Sequence, residues 1–567
     1  MNPLFGGSTG HDKTVLGAAA PGGRSSSLGR LSPLVDKRLA HMRKKDVVAR
    51  IWAKDHTVWK PEPTEIIDRL GWLTVAEDMA ERMGEIEDFT AQVASEGFTR
   101  AVLLGMGGSS LAPEVLRESL GVAPGALELS VLDTTHPDAI ATLEKSLDLG
   151  RTLFIVASKS GGTIETLSHL AHFHAKTGRG AQFAAITDSG SPLETLSRSH
   201  GFRHVFLNPS DIGGRFSAMS LFGLVPASLI GADLGALLHS ARKMATACNR
   251  GMSGEQNPGE WMGVVMGQAA RAGCDKLTLL LNGKTSSFGA WIEQLVAEST
   301  GKEGKGILPV IGEDLGGVEA YRKDRLFVAV GEHPGLDALE EAGHPIVRLF
   351  DGGPASLGGE FFRWEFATAV AGALLGVNPF DQPNVAEAKD ATRRALDSER
   401  APAPAFDELG PLLDTLQVGD YVAVPAYLDP TPETKAALQR ARLAIRDRFK
   451  VATTIGFGPR FLHSTGQFHK GGPNKGVFIQ VVDSARKNDV AIPGRTYTFG
   501  DLIDAQAVGD LQALRTHGRG AVRVHLQQLA QVDQEQASNE RSGRARVRAQ
   551  RGDGHANRNG GGARSIR

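Results

Sequence analysis

The spacing of apolar residues changes along the chain and predicts its architecture. From residue 33 to about residue 95, apolar positions recur at i, i+3, i+4 and i+7, which predicts amphipathic helices. From residue 101 onward, short and wholly apolar runs of strand length alternate with helix-like segments. Strands that are apolar throughout and alternate with helices are typical of a parallel sheet covered on both faces.

Two such series follow one another. The first contains AVLLG, LELSVLD, TLFIVAS, FAAITD and HVFLN, and the second contains KLTLLLNG, GILPVIG, LFVAVG and PIVRLF. They predict two consecutive doubly wound α/β units, over residues 96–254 and 255–400. A linker-like segment at 401–411 leads to a third, smaller α/β unit over residues 412–530, with strands such as DYVAVPAYL and GVFIQVV.

The two ends of the chain lack this periodicity. Residues 1–32 are mostly Gly, Ser, Ala and charged residues, and we expect a disordered leader there. Residues 541–567 hold eight arginines and one acidic residue, Asp553, among Gly, Asn and Ser, which predicts a basic disordered tail.

Composition narrows the function classes. Lys and Arg number 63 and Asp and Glu number 64, so the balanced charge argues against bulk nucleic-acid binding. Two cysteines without CxxC spacing exclude a disulfide framework or a zinc cluster. The sequence shows neither a run of 18 apolar residues nor a secretory signal pattern, so we expect a cytoplasmic protein that does not cross a membrane.

Glycines cluster where predicted strands end, at 106–110, 158–163 and 212–217. The carboxyl ends of parallel strands form the ligand crevice of open α/β sheets, and a glycine-rich turn entering a helix offers backbone N–H groups to an anion. Serine and threonine hydroxyls accompany the glycines, so the pattern favours a phosphate ligand. Dinucleotide binding is disfavoured because the sixth position of G-x-G-x-x-G is Ser110 and the next strand-end acid, Asp133, comes 28 residues after Gly105.

At this point a resemblance becomes specific. Over roughly residues 45–400 the chain resembles the glucose-6-phosphate isomerases of the SIS superfamily, with the matching motifs in family order. It is most similar to the isomerase half of fused transaldolase–isomerase proteins, and the missing transaldolase barrel predicts no transaldolase activity. The motifs are GMGGSSLAPEV at 105–115, SKSGGTIET at 158–166, ITDSGSPLE at 186–194, NPSDIGGRFS at 208–217, LLNGKTSSFGAWIEQLVAESTGKEGKG at 280–306 and GVNPFDQPNVAEAK at 376–389.

The resemblance implies two SIS domains and an aldose–ketose isomerisation of a sugar phosphate through a cis-enediolate, without metal or cofactor. It makes Glu298 the base, Arg215 the cation facing the enediolate, and Lys389 an aid to ring opening. Helical spacing places Glu298 at the edge of a packed face and Glu293 opposite, toward solvent. The implied substrate-binding residues are Gly108, Ser109, Ser158, Lys159, Ser160, Thr163 and Gln382.

The histidine for ring opening departs from the family pattern. The corresponding stretch LGGEFFRWEF has Glu360 near the expected position and no histidine. His333 and His344 are the local candidates, and His333 is favoured because it directly follows the predicted strand LFVAV. We also hypothesise that the glycine-rich segment 461–476 covers the sugar site and supplies the missing group from His463 or His469, and we expect no metal there.

Several alternatives stay open at this stage. A dual phosphoglucose/phosphomannose isomerase would differ from a glucose-only enzyme only in that its pocket accepts either configuration at C2 of the sugar. A non-catalytic SIS regulator that binds sugar phosphates has no need of both Glu298 and Arg215. We expect a small sugar phosphate as the partner, contact with nucleic acid is not favoured, and a homodimer is an open option.

Overall fold

The computed structural model describes residues 14–16, 23–252, 254–350, 352–397, 405–483 and 485–531. The predicted basic tail, residues 541–567, lies outside the described residues, as does most of the predicted leader. Within the described ranges, no helix has the length and apolar character needed to cross a bilayer.

The helical N-terminal segment packs against the first two units. Its amphipathic helices are α1 (Ser32–Lys44), α2 (Val47–Trp52), α3 (Val75–Glu81) and α4 (Met83–Ser95). The apolar stripe of α1, formed by Val35, Leu39 and Met42, is buried, as the i, i+4 spacing requires. The Trp72 ring is fully buried between Phe216 of the first unit and Phe362 of the second.

The first unit is a parallel five-stranded sheet with helices on its faces. The strands are β3 (Arg100–Gly105), β4 (Glu128–Leu132), β5 (Thr152–Ala157), β6 (Phe183–Asp188) and β7 (His204–Asn208). They lie in the order β4-β3-β5-β6-β7. The strand after β3 in the chain, β4, therefore lies on one side of β3, and the next strand, β5, lies on the other side. The helices are α5 (Gly108–Leu120), α6 (Pro137–Lys145), α7 (Ile164–Thr177), α8 (Pro192–Ser199), α9 (Leu221–Leu229) and α10 (Leu234–Ala247).

The second unit repeats this arrangement around a six-stranded sheet. The parallel strands are β8 (Lys276–Leu280), β9 (Leu308–Val310), β10 (Arg325–Val330) and β11 (Ile346–Leu349), and β1 (Thr14–Leu16) and β2 (Arg24–Ser27) run antiparallel. The strand order is β1-β2-β11-β10-β8-β9. The helices are α11 (Pro258–Arg271), α12 (Phe288–Thr300), α13 (Leu336–Glu341), α14 (Leu357–Leu375) and α15 (Val385–Asp397).

Residues 24–27, which the sequence assigns to a disordered leader, form strand β2, which pairs with the edge of the parallel strands at β11 and with β1 on its other side. A sheet edge binds an added strand through main-chain hydrogen bonds, so a polar RSSS segment can pair without an apolar pattern. The Arg24 side chain fixes the segment, because its guanidinium lies 3.9 Å from the Trp261 ring centre and donates to the Glu255 carbonyl at 2.8 Å.

The third unit is a parallel four-stranded sheet. Its strands are β12 (Tyr421–Tyr427), β13 (Ala452–Phe457), β14 (Gly476–Val482) and β15 (Gly520–His525), in the order β13-β12-β14-β15. Its helices are α16 (Gly410–Leu413), α17 (Pro432–Phe449), α18 (Gly466–Gly471) and α19 (Phe499–Thr516). The predicted α/β class is therefore confirmed. The first two units share one large apolar core. The third has an apolar cluster of its own and also shares smaller clusters with the first unit, through Phe499, and with the second unit, through Phe478.

Charged side chains join the third unit to the first. Arg460 forms an ion pair with Glu114, and its Nε lies 3.4 Å from Asp133 Oδ2. On the same seam, the His136 ring bonds Asp483 at 2.6 Å. Because these groups are largely withdrawn from water, separating the units would leave buried charges without partners, which is costly.

Candidate active site

The glycine-rich turns meet in one cleft at the carboxyl edge of the first sheet. The chain reverses its direction of winding between β3 and β5, and the turns that follow these two strands line a cavity of about 530 Å³. A Cβ on Gly108 would lie 1.9 Å from the carbonyl oxygen of Gly214, so only glycine permits this approach of two backbones. Ser109 lies beside it in the same lining.

The turn after β5 presents hydroxyl and amide groups to this cavity. Ser158 Oγ lies 2.9 Å from Thr163 Oγ1 and accepts the Gly161 N–H at 3.1 Å. Ser160 Oγ accepts the Gly162 N–H at 3.4 Å, and Thr163 directly precedes helix α7. A turn of this kind, with hydroxyl donors at a helix N-terminus, suits a phosphate group.

Lys159 also lines the cavity, but its ammonium already has acceptors. It forms an ion pair with Asp188 and donates to the Ser210 carbonyl at 2.8 Å. The sequence cannot reveal this pairing, because Asp188 and Ser210 belong to the ends of later strands. Lys159 therefore fixes three turns to each other at the edge of the cleft.

Glu298 and Arg215 form the charged pair at the other side of the cavity. Glu298 Oε2 lies 3.6 Å from Arg215 Nη1, and both residues are almost fully buried. Gln294, one turn earlier on α12, donates to Glu298 Oε2 at 3.2 Å. The spacing leaves the carboxylate oriented toward the cavity rather than clamped by the guanidinium.

Acceptors from several other residues fix the arginine fork. Arg215 Nε donates to Ser299 Oγ at 2.8 Å, Nη1 to Gln382 Oε1 at 2.7 Å, and Nη2 to the Pro379 and Asp381 carbonyls at 2.7 and 2.9 Å. Burial lowers the Arg215 pKa from its usual value, and the charge of Glu298 opposes that effect. A guanidinium held this way is pre-organised for an oxyanion.

Two charged groups near this pair are buried, and one of them differs from the sequence prediction. Glu293, expected to face solvent, is buried beneath the third unit near Ser464, and burial raises its pKa to about 7. The solvent prediction was wrong because helical periodicity cannot foresee a domain that docks on the polar face. Lys302 bonds Asp381 at 2.6 Å, and burial together with Arg215 lowers its pKa to about 8.

A second cavity, of about 280 Å³, continues the cleft toward the third unit. It shares Ser160, Thr163 and Lys389 with the first cavity and is also lined by His463. His463 belongs to the segment 461–476, which forms a short 3-10 turn and helix α18 rather than a loop. The Gln467 amide donates to the Gly301 carbonyl at 2.9 Å, which places this segment on the end of α12.

A buried relay holds the His463 imidazole. Nε2 lies 3.1 Å from Glu165 Oε1, which also accepts from Gln506 Nε2 at 2.7 Å, and Gln506 Oε1 accepts from Thr135 Oγ1 at 2.7 Å. Burial by itself would raise the Glu165 pKa, but the charge and hydrogen bond of His463 outweigh it, so the net shift is downward. With Nε2 occupied, Nδ1 is the ring nitrogen available to a ligand.

The other candidate histidines, His333, His344 and His469, line neither cavity. His333 sits in the turn after β10 at the second sheet, with Nε2 3.1 Å from the Val330 carbonyl. His469 points into the third unit between Phe461 and Phe478, and burial lowers its pKa well below the usual value. The sequence criteria, a position directly after a strand or inside a glycine-rich segment, apply to these histidines as well as to His463. They therefore could not show which histidine lines the cavity.

Glu165 and Gln506 are the site residues that sequence reasoning missed. Glu165 stands inside the quoted motif SKSGGTIET, so the motif itself held a signal. Gln506 lies in the middle of α19, where nothing in the local pattern indicates a role.

Comparison with known proteins finds similar sequences. The family model described as phosphoglucose isomerase matches residues 61–306, a range that includes Glu298, Arg215 and all three glycine-rich turns. Glucose-6-phosphate isomerases from Citrifermentans bemidjiense and Thermus thermophilus are each 29% identical, over 57% and 58% of this chain and 72% and 90% of their own lengths.

Over residues 61–306 the chain is similar to the phosphoglucose isomerases.

Two solved structures have a similar fold over about two thirds of the chain. A hypothetical protein, TT0462, also from Thermus thermophilus, is 27% identical with a TM-score of 0.56, and the match covers 66% of this chain and all of that one. A glucose-6-phosphate isomerase from Chlamydia trachomatis has the same fold, with 19% identity and a TM-score of 0.55 over 65% of this chain and 88% of its own. The finer resemblance to fused transaldolase–isomerase proteins stays a prediction.

Proposed function

We propose that this protein is a glucose-6-phosphate isomerase that interconverts glucose 6-phosphate and fructose 6-phosphate through a cis-enediolate. The observation that carries the proposal is the Glu298–Arg215 pair, 3.6 Å apart, in the same cavity as the hydroxyl-rich turn 158–163. A base, an oxyanion partner and a phosphate-binding turn are together what an aldose–ketose isomerisation requires. The proposed reaction uses no metal or cofactor.

The substrate phosphate binds the turn after β5. Ser158, Ser160 and Thr163 offer hydroxyls, and the backbone N–H groups at the start of α7 add a positive dipole. Gly108 and Ser109 line the wall beside the sugar. Gln382 acts mainly through Arg215, because its side-chain oxygen accepts from that guanidinium.

Ring opening is assigned to His463 with Lys389 nearby. The imidazole donates Nε2–H to Glu165, takes the proton of the anomeric hydroxyl at Nδ1, and gives that proton to the ring oxygen. Lys389 lines both cavities and stabilises the negative charge that develops on the sugar oxygens. This assignment takes the place of His333 and His469, whose positions do not allow contact with the sugar.

Glu298 then removes the proton from C2 of the open-chain aldose. Electron density moves to the C1 carbonyl, and Arg215 stabilises the resulting enediolate. A proton passes from O2 to O1, and Glu298 returns its proton to C1, which gives the ketose. Because the same carboxylate acts twice, one base near both carbons is sufficient. Gln294 and Arg215 both approach Glu298 at Oε2, and this fixes the carboxylate beside the substrate cavity.

The test is a coupled assay with fructose 6-phosphate and mannose 6-phosphate on the wild type and on Glu298→Gln. Losing the base should lower turnover by roughly a thousandfold, within the usual range for general bases. Glu293→Gln is the matched control, since it changes a buried carboxylate of the same helix outside the cavity lining and should keep activity.

Retained activity in Glu298→Gln would contradict the proposal and favour the regulator alternative. Turnover of mannose 6-phosphate would instead establish the dual phosphoglucose/phosphomannose specificity. We also propose a cytoplasmic location. A homodimer remains an expectation that sedimentation would test.

A further inference from the structure

The second sheet has the same topological reversal as the first, and it also ends in a cavity. The chain leaves β8 for β9 on one side and returns to β10 on the other, as it leaves β3 for β4 and returns to β5. In open α/β sheets the ligand crevice lies at this reversal. Here a cavity of about 320 Å³ is lined by residues at the ends of β8, β10 and β11.

This cavity is separate from the candidate active site. None of the residues that line it lines either part of the first cleft. Its floor is the turn Asn282–Thr285, whose glycine at 283 has a φ of +54°, and the turn after β11, whose glycine at 353 has a φ of +67°. Positive φ angles at both turns require glycine, as in the turns of the first cleft.

The electrostatic environment at one end of the cavity is positive. Helices α12 and α14 both begin there, and neither Ser287 nor Ser356 caps its helix with its side chain. Lys284 lies on the rim. Two helix N-termini and an ammonium group attract the same kind of ligand, an anion.

A buried arginine provides an independent observation. Arg363 lines the cavity, is 2% exposed, and its Nε has no hydrogen-bond partner among the described residues. Glu360 forms an ion pair with the other end of the guanidinium. Arg24 is close enough to Arg363 for its charge, together with burial, to lower the Arg24 pKa to about 10, while Glu255 opposes this shift.

Part of the wall is apolar. Phe288, the first residue of α12, Leu349 and Phe350 line it, and Phe350 is 39% exposed, which is unusual for a phenylalanine of this chain. A ligand with only an anionic group would leave this wall in contact with water. A ligand that also carries an apolar group would cover it.

We propose that the crevice of the second sheet is a binding site for a small organic anion, a carboxylate or a phosphate that carries an apolar group. The anionic group lies between the starts of α12 and α14 beside Lys284, and the apolar group lies against Phe288 and Phe350. The site is distinct from the sugar-phosphate site and does not depend on the proposed reaction.

The experiment is calorimetric titration of the full chain with phenyl phosphate, benzoate, inorganic phosphate and benzyl alcohol. Phenyl phosphate or benzoate should bind more tightly than inorganic phosphate or benzyl alcohol. Only the first two carry both an anionic group for the positive end of the cavity and an aromatic ring for the apolar wall. Comparing phenyl phosphate with benzoate identifies the preferred anionic group. Each titration includes glucose 6-phosphate, so that anion binding in the first cleft contributes little heat.

Lys284→Ala should weaken this binding about tenfold, the usual effect of removing one charge-assisted hydrogen bond. Phe350→Ser should weaken the aromatic anions and leave inorganic phosphate unchanged. Lys145→Ala, an exposed lysine on α6, is the charge-matched control and should change nothing. Both substituted side chains are partly exposed, and thermal unfolding verifies that the variants fold.

Identical binding curves for the wild type and Lys284→Ala would overturn the proposal, as would the absence of any binding that depends on Lys284 at millimolar ligand. Equal affinity for phenyl phosphate and inorganic phosphate would overturn the apolar half of the site. Because all these readouts are binding measurements, they stay independent of whether the first cleft isomerises glucose 6-phosphate.

Discussion

The crevices of the first and second sheets arise from the same topology but present different chemistry. In the first, Glu298 and Arg215 face a hydroxyl-rich turn, and the third unit contributes His463 along one side. In the second, Lys284 and Arg363 face an apolar wall. The difference teaches that chain topology decides where a ligand binds, whereas side chains from other elements decide whether it reacts.

The largest expected effect is the loss of kcat when Arg215, in the crevice of the first sheet, is replaced. Arg215→Lys keeps a positive charge but loses the planar fork that reaches four acceptors, so kcat should fall by roughly a hundredfold to a thousandfold. Steady-state kinetics would measure this loss. Wild-type kcat in Arg215→Lys would remove the arginine from the reaction. Circular dichroism should show an intact fold.

The two histidines near the crevices provide the next comparison. His463→Ala should lower the rate of anomer exchange of glucose 6-phosphate by roughly a hundredfold, because ring opening loses its acid–base group. Exchange NMR on a Glu298→Gln background measures ring opening without isomerisation. His333→Ala, at the edge of the second crevice, is the matched control and should have no effect. The reverse pattern would restore the original His333 prediction.

Helix α12 reaches both crevices and contains the buried Glu293, whose titration should make stability depend on pH. Its pKa is raised to about 7 in the folded chain, so the protonated form stabilises the fold at low pH, and this contribution is lost as pH rises toward 7.

Compared with Glu293→Gln, the wild type should lose up to about 3 kcal/mol between pH 4.5 and 8. Urea unfolding of both proteins at several pH values measures the difference. A constant difference across that range would show that Glu293 does not titrate there.

The smallest expected effect concerns the relay behind His463. Gln506→Met keeps the volume but removes the donor to Glu165, so we expect a fall of about tenfold in anomer exchange, the worth of one charge-assisted hydrogen bond. KM for glucose 6-phosphate should not change, since Gln506 positions a catalytic partner rather than the phosphate. A rise in KM with an unchanged exchange rate would contradict the positioning role.

The sequence predicted those features of the fold and the site that depend on the residues of a single segment. Apolar runs alternating with helical spacing indicated the three α/β units, and the turns at 105–110 and 158–163 indicated the cleft because strand ends and glycines are local features. The motifs also brought Glu298, Arg215 and the phosphate turn together.

What the sequence could not provide depended on docking between distant segments. Strand β2 has no apolar pattern, because its stability comes from main-chain pairing and from the Arg24–Trp261 contact. The burial of Glu293, and the choice of His463 over His469, depend on how the third unit packs on α12. No spacing along one element encodes that contact.

Helix α12 has a consequence for communication within the molecule. It begins with Phe288 at the second crevice and carries Glu298 ten residues later at the first, a distance of about 15 Å along a rigid rod. A ligand that shifts one end of the rod changes where the carboxylate stands at the other. By thermodynamic linkage, occupancy of the sugar-phosphate site would then change the affinity of the second crevice by the same factor.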